Sequence, residues 1–116
     1  ALADCYCNFV NTLPEAAELA ALAGCRVVLD YYNMERMGEA DTDVRPYLPL
    51  IAHAHISDDD GSPRLRAPLK AEKAEVHRAR IRRLREAGYD RTMTLETDIP
   101  FSAARAAESL GLIRGA

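Results

Sequence analysis

The chain has 116 residues, 48% hydrophobic and 28% charged, with a formal net charge of -3. It is too apolar for a disordered chain and has no run approaching the ~20 uncharged apolar residues of a membrane span. The mild acidity argues against a dedicated nucleic-acid binder, which carries a basic excess.

Asp4 and Asn8 interrupt the first apolar run, so no secretory signal is legible there. Cys5 and Cys7 form a C-x-C pair without a second pair to complete a zinc site, and Cys25 makes the number odd. All three read as reduced thiols of a cytoplasmic protein. Thr12 is placed to cap a helix, with Pro14 in the first turn and Glu15 three residues after the cap. That helix runs through Ala16, Leu19, Leu22 and Ala23 and stops at Gly24. Arg26-Val27-Val28-Leu29-Asp30 predicts a short buried parallel strand ending in a carboxylate.

A loop rich in Gly, Asp and Glu follows over 38–43, then a short helix over 44–50 whose limits Pro46 and Pro49 blur. Ile51-Ala52-His53-Ala54-His55-Ile56 predicts a second strand, and 57–68 a loop with Asp58-Asp59-Asp60-Gly61 as its turn. A long helix is expected over 70–87, stopped by Gly88, then a third strand over 91–96 and a last helix over 103–110 capped by Ser102. Helices alternating with short apolar strands predict an α/β fold with a parallel sheet and helical crossovers.

Arg78, Arg80, Arg82, Arg83 and Arg85 crowd the 70–87 helix. At ~100° per residue, Val76, His77, Ile81 and Leu84 share one side, on which only Arg80 intrudes. The pattern is an amphipathic helix with a basic solvent face, and His77 is expected to be packed.

The three predicted strands end in Asp30, His55 and Glu96. Functional groups in parallel α/β folds gather at the carboxyl ends of the strands. Successive strands ending in Asp, His and Glu therefore point to one divalent-cation site of mixed oxygen and nitrogen ligands, suited to Mn²⁺, Co²⁺, Mg²⁺ or Zn²⁺. His53, two residues before His55, shares its face of the strand and either braces the ligand or simply packs.

Four segments carry a resemblance. Val28-Leu29-Asp30-Tyr31-Tyr32-Asn33-Met34 is similar to the "L-D-x-x-H-M" segment of the xylose-isomerase-like TIM barrels, and Ile51 to Asp58 to their "h-x-H-I-x-D" segment. Gly88 to Glu96 resembles "G-Y-D-G-x-h-x-h-E", and Cys7-Asn8-Phe9-Val10-Asn11-Thr12 the "C-N-F-x-N-T" that follows the fifth strand in the sugar isomerase and epimerase branch, which includes the ketose 3-epimerases. All four stand in family order across nearly the whole chain. The resemblance implies that 1–116 is the C-terminal half of a (β/α)8 barrel, about strands six to eight with their helices. The N-terminal half would then be absent, and Ala1, which is not Met, would mark a cut.

The family holds its metal with two Glu, one Asp and one His. Asp30, His55 and Glu96 match three of these, and the fourth, a Glu, falls just before Ala1. Asn33 stands where the family has a substrate-binding His; it still donates hydrogen bonds but has no titratable proton near neutrality. Arg64 and Arg66 are both candidates for the family's substrate-contacting Arg, and Asp58 is placed just behind the ligands.

The function so implied is a metal-dependent isomerase or epimerase of a small sugar or sugar phosphate, working by proton abstraction beside a carbonyl through an enediolate, with Glu96 as one catalytic carboxylate. This chain alone is expected to show little activity. Two alternatives stand beside it. One is a nuclease of the endonuclease IV type, disfavoured because Asn33 replaces a His and the loop after His55 lacks a D-x-H pair. The other is a non-catalytic half-barrel for binding or assembly, whose open sheet edges would drive it to homo-oligomerise or aggregate.

Overall fold

The computed structural model of the chain describes residues 10–62, 65–98, 100 and 102–116. The Cys5–Cys7 pair and Asn8 lie outside them. The first helix, α1, is Leu13–Ala23. Its start is a capping box: the Thr12 hydroxyl accepts from the Glu15 N–H, and the Glu15 carboxylate accepts from the Thr12 N–H at 3.1 Å. Gly24, at φ 67°, ends it in the left-handed conformation that glycine adopts without a side-chain clash. Leu13, Ala17 and Ala20 form its buried stripe, whereas Leu19 and Leu22 are exposed.

Three strands, β1 (Val27–Asp30), β2 (Ile51–Ile56) and β5 (Met93–Leu95), form one parallel sheet with β2 in the centre. The fold is thus a mixed α/β one around a small parallel sheet. Leu29, Ala54 and Ile56 are almost completely buried, and Leu13, Tyr31, Met34, Val44, Leu84 and Tyr89 build the core around them. The opposite face of the sheet is polar and partly open, and Val28 on it is 49% exposed. Covering on one face only is unusual for a parallel sheet, whose strands are ordinarily buried on both sides.

Several elements differ from the expectation. A short helix, α2 (Tyr31–Arg36), starts directly at the end of β1 because Asp30 caps it. Residues 45–50 form a 3₁₀ turn, as befits a segment whose prolines at 46 and 49 lack N–H donors. The 57–68 segment is not a plain loop: β3 (Asp58–Asp59) pairs antiparallel with β4 (Arg66–Ala67). The long helix opens with a 3₁₀ turn at Ala71–Lys73 and continues as α3 (Ala74–Glu86). The third strand is shorter than 91–96, and the last helix, α4 (Ala103–Ile113), is longer than 103–110. Among the described residues no helix is long and apolar enough to cross a membrane.

The buried stripe of α3 is His77, Arg80 and Leu84, while Val76 is 45% exposed. The helix is rotated from its most apolar orientation because two of its polar side chains have partners below. His77 is completely buried with Nε2 2.9 Å from Asp58 Oδ2, and Arg80 Nη1 lies 2.7 Å from Glu35 Oε2. Lys73 links the two acids, 2.6 Å from Glu35 Oε1 and 2.9 Å from Asp58 Oδ1. The Lys70 N–H donates to Asp58 Oδ2 at 2.7 Å. A buried carboxylate is tolerated only when paired in this way.

Burial alone would raise the Asp58 carboxyl, but the bonds from His77, the Lys70 N–H and Lys73 outweigh it and hold the carboxyl down from 3.8 to about 2. A carboxyl lowered on folding stabilises the native state above its unfolded value and ceases to do so as pH falls through its folded value. The Asp58 contribution is therefore expected to be complete above about pH 4 and to fade toward pH 2. Asp58→Asn should cost roughly 3 kcal/mol at neutral pH, because it takes the anion from the completely buried His77 and leaves Lys73 with Glu35 alone. It should also flatten the acid limb; urea unfolding followed from pH 7 to pH 2 checks both.

Candidate functional site

The sheet register assembles the site. Asp30 pairs with His55 across β1 and β2, and His55 pairs with Thr94 across β2 and β5. Glu96 leaves β5 with its N–H on the Ile56 carbonyl at 3.2 Å, which carries the same face one step further. Asp30, His55 and Glu96 thus converge at the carboxyl ends of the three strands. One donor atom of each lies within 4.8 Å of those of the others, and all three residues are half-buried. His55 Nδ1 is 2.9 Å from Glu96 Oε2. Two carboxylates and an imidazole at this separation form the oxygen–nitrogen donor set that divalent first-row cations and Mg²⁺ accept.

The two oxygens of Asp30 do different work. Oδ1 caps α2, accepting from the N–H groups of Tyr32 at 3.0 Å and Asn33 at 3.2 Å. Oδ2 faces the site and accepts from Asn33 Nδ2 at 3.1 Å and Arg66 Nη2 at 3.0 Å. The helix so fixes the carboxylate through Oδ1 and leaves Oδ2 turned toward Asn33 and Arg66. Asn33 is held against Asp30, and its Oδ1 is buried without a hydrogen-bond partner among the described residues. A hollow of about 140 Å³ bordered by Asn11, Val28, Asp30 and Asn33 adjoins the site on the β1 side. Three larger hollows, about 290 Å³ beside Tyr31 and Arg83, about 360 Å³ beside Met93 and Leu110 and about 200 Å³ beside Glu35 and Asp58, are lined by none of the three donors.

Arg66 reaches the site from β4. Its Nη2 contacts Asp30, its Nε stands 3.2 Å from Glu96 Oε2, and its guanidinium lies 4.9 Å from the centre of the Tyr32 ring. The backbone below is held on both sides: the Arg66 N–H donates to Asp98 Oδ2 at 2.7 Å, and the Asp98 N–H to the Arg66 carbonyl at 3.0 Å. Of the two arginine candidates, Arg66 is brought to the site; Arg64 lies outside the described residues.

His53 meets His55 edge to face, with ring centres 5.2 Å apart. Its Nε2 is 2.7 Å from the Thr94 hydroxyl and its Nδ1 3.3 Å from that of Thr92, so both ring nitrogens are engaged and the ring cannot rotate freely beneath His55. Asp58 does not join the cluster. Its partners are His77, Lys73 and the Lys70 N–H, which make it the anchor of α3.

Sequence reasoning passes over Tyr32, Thr92, Thr94 and Asp98. Thr94 is legible in hindsight, because it stands two residues before Glu96 and so shares its face of the strand. Asp98 carries no such signal, since only the fold of the 57–68 ribbon places it beside Arg66.

Compared with protein-family models, with curated proteins and with solved structures, the chain finds no match in any of the three.

The double role of Asp30 is separable. Ser is a good N-cap but a poor ligand, so Asp30→Ser should retain about 1 kcal/mol of stability that Asp30→Ala loses. Equal urea midpoints for the two variants would show that the cap contributes nothing.

Proposed function

We propose that this chain forms the metal- and substrate-binding end of an isomerase or epimerase acting on a small sugar or sugar phosphate. In this proposal the three-stranded sheet is the C-terminal half of a xylose-isomerase-like (β/α)8 barrel. One observation carries it: Asp30, His55 and Glu96 end three consecutive parallel strands and bring their donor atoms within 4.8 Å of one another. The segments around them resemble that family, and the donors suit Mn²⁺, Co²⁺, Mg²⁺ or Zn²⁺.

Asp30, His55 and Glu96 would hold a divalent cation, whose positive charge would stabilise an enediolate developing beside the substrate carbonyl. The chain's own residues do the rest. Glu96 takes or returns the proton on the carbon next to the carbonyl, as a carboxylate on one face of the sugar. Asn33 orients a hydroxyl by hydrogen bonding, and its amide takes no part in proton transfer. Arg66 offers a fork of N–H donors to substrate oxygens. His53 keeps the His55 ring in place, and the Asp30 cap holds its carboxylate still.

The test is metal uptake by the purified chain. One equivalent of Mn²⁺ or Co²⁺ is expected by elemental analysis after dialysis, falling to background in Asp30→Ala and His55→Ala. Uptake that is absent, or equal in all three proteins, overturns the proposal. In the intact protein, Glu96→Gln should lower the turnover of a ketose by at least about 100-fold, the lower bound for loss of a positioned general base. A drop in kcat with KM little changed separates that role from simple substrate binding.

The second reading, a non-catalytic half-barrel for assembly, is favoured by the open face of the sheet. Size-exclusion chromatography with light scattering tests it: a stable compact monomer counts against the assembly module and against a simple barrel fragment alike.

A further inference from the structure

Resting on the metal reading above, we propose that Arg66 is the internal counter-cation of the site and competes with the divalent metal for Asp30 and Glu96. The geometry is that of a guanidinium doing a cation's work. Asp30 Oδ2 and Glu96 Oε2 are the oxygens turned toward the site, and the same Arg66 side chain stands 3.0 Å from one and 3.2 Å from the other. Two carboxylates this close repel each other, and a positive charge between them relieves that repulsion. The Arg66 side chain is only 19% exposed and the Asp30 side chain 12%, so solvent screens the pair less than it would at a surface.

The donor atoms are otherwise engaged as well: His55 Nδ1 with Glu96 Oε2, and Asn33 Nδ2 with Asp30 Oδ2. Of these neighbours only Arg66 brings a permanent charge that a dication must oppose. A doubly charged cation drawn to the same two oxygens meets the repulsion of the guanidinium already standing against them. Metal is therefore held more tightly by the form in which Arg66 has withdrawn.

The anchoring of Arg66 suits such an exchange. Its backbone is pinned through Asp98 and the β3–β4 pairing, so the change is confined to a long side chain with several rotatable bonds. The Tyr32 ring, itself buried, offers a face on which the guanidinium can rest in either position. Displacement then frees the N–H fork for substrate oxygens at the moment the metal arrives. Ligand binding to a form populated only in part is weakened by that fraction. Removing the competitor should therefore strengthen metal binding, whereas a merely structural Arg66 would weaken it when lost.

The experiment is Co²⁺ binding by calorimetry, with the visible absorption of Co²⁺ as a second readout. It compares wild type, Arg66→Gln and Arg66→Lys, each checked for folding by circular dichroism. Arg66→Gln is expected to bind Co²⁺ at least roughly tenfold more tightly than wild type. Arg66→Lys should fall between them, because an ammonium cannot fork across both carboxylates. Wild-type binding with equal or weaker binding by both variants overturns the role of Arg66 and leaves the metal site standing. Absence of Co²⁺ binding in all three overturns both.

Discussion

The register Asp30↔His55↔Thr94 across β1, β2 and β5 is the constraint from which the rest of the molecule follows. Parallel pairing makes all three strands leave the sheet at the same edge, so the residues that end them become neighbours although 25 and 41 positions separate them in the chain. A slip of one residue in β2 would turn His55 toward the helices and Ala54 toward the site. The full burial of Ala54 and Ile56 against the helical layer opposes that slip, since it would replace two apolar side chains in the core by His53 and His55. The core on one face of the sheet therefore holds the polar site on the other in place.

A second set of charges anchors the helical layer. Asp58, Glu35, Lys73, His77 and Arg80 join the segment after β2, α2 and α3. Buried ion pairs contribute little net stability when weighed against apolar replacements, but each member is costly to remove alone. Their effect here is positional. They set the rotation of α3, turn Val76 outward, and fix the start of the ribbon whose far strand carries Arg66. The site and this network are thus mechanically linked through β3 and β4 without sharing a residue.

Much of the chain is legible from local chemistry. Thr12, Pro14, Glu15 and Gly24 mark α1 because capping acts within a few residues. The segment 51–56 marks β2 because Ala52, Ala54 and Ile56 alternate with His53 and His55, the period of two of a strand with one buried face. Asp30, His55 and Glu96 stand out as candidates because they end three such runs. What escapes is whatever depends on distant partners. The start of α2 follows from one carboxylate choosing to cap, the β3–β4 pairing spans a turn rich in acids, and the exposure of Val76 follows from where Glu35 and Asp58 lie. Nothing local marks Arg66, whose place follows from Asp98 at its backbone and Tyr32 beneath its guanidinium.

By itself, then, the sequence determines an alternating α/β chain, the three strand-end candidates and the amphipathic helix, because periodicity, caps and strand-end position are written in neighbouring residues. Only the tertiary structure decides that these three donors meet, that Arg66 spans two of them, that His53 braces the third between two threonines, and that Asp58 and His77 serve the core. The reason is physical: hydrogen bonds and ion pairs act over about 3 Å, and which groups come that close depends on the register of the sheet and the rotation of its helices.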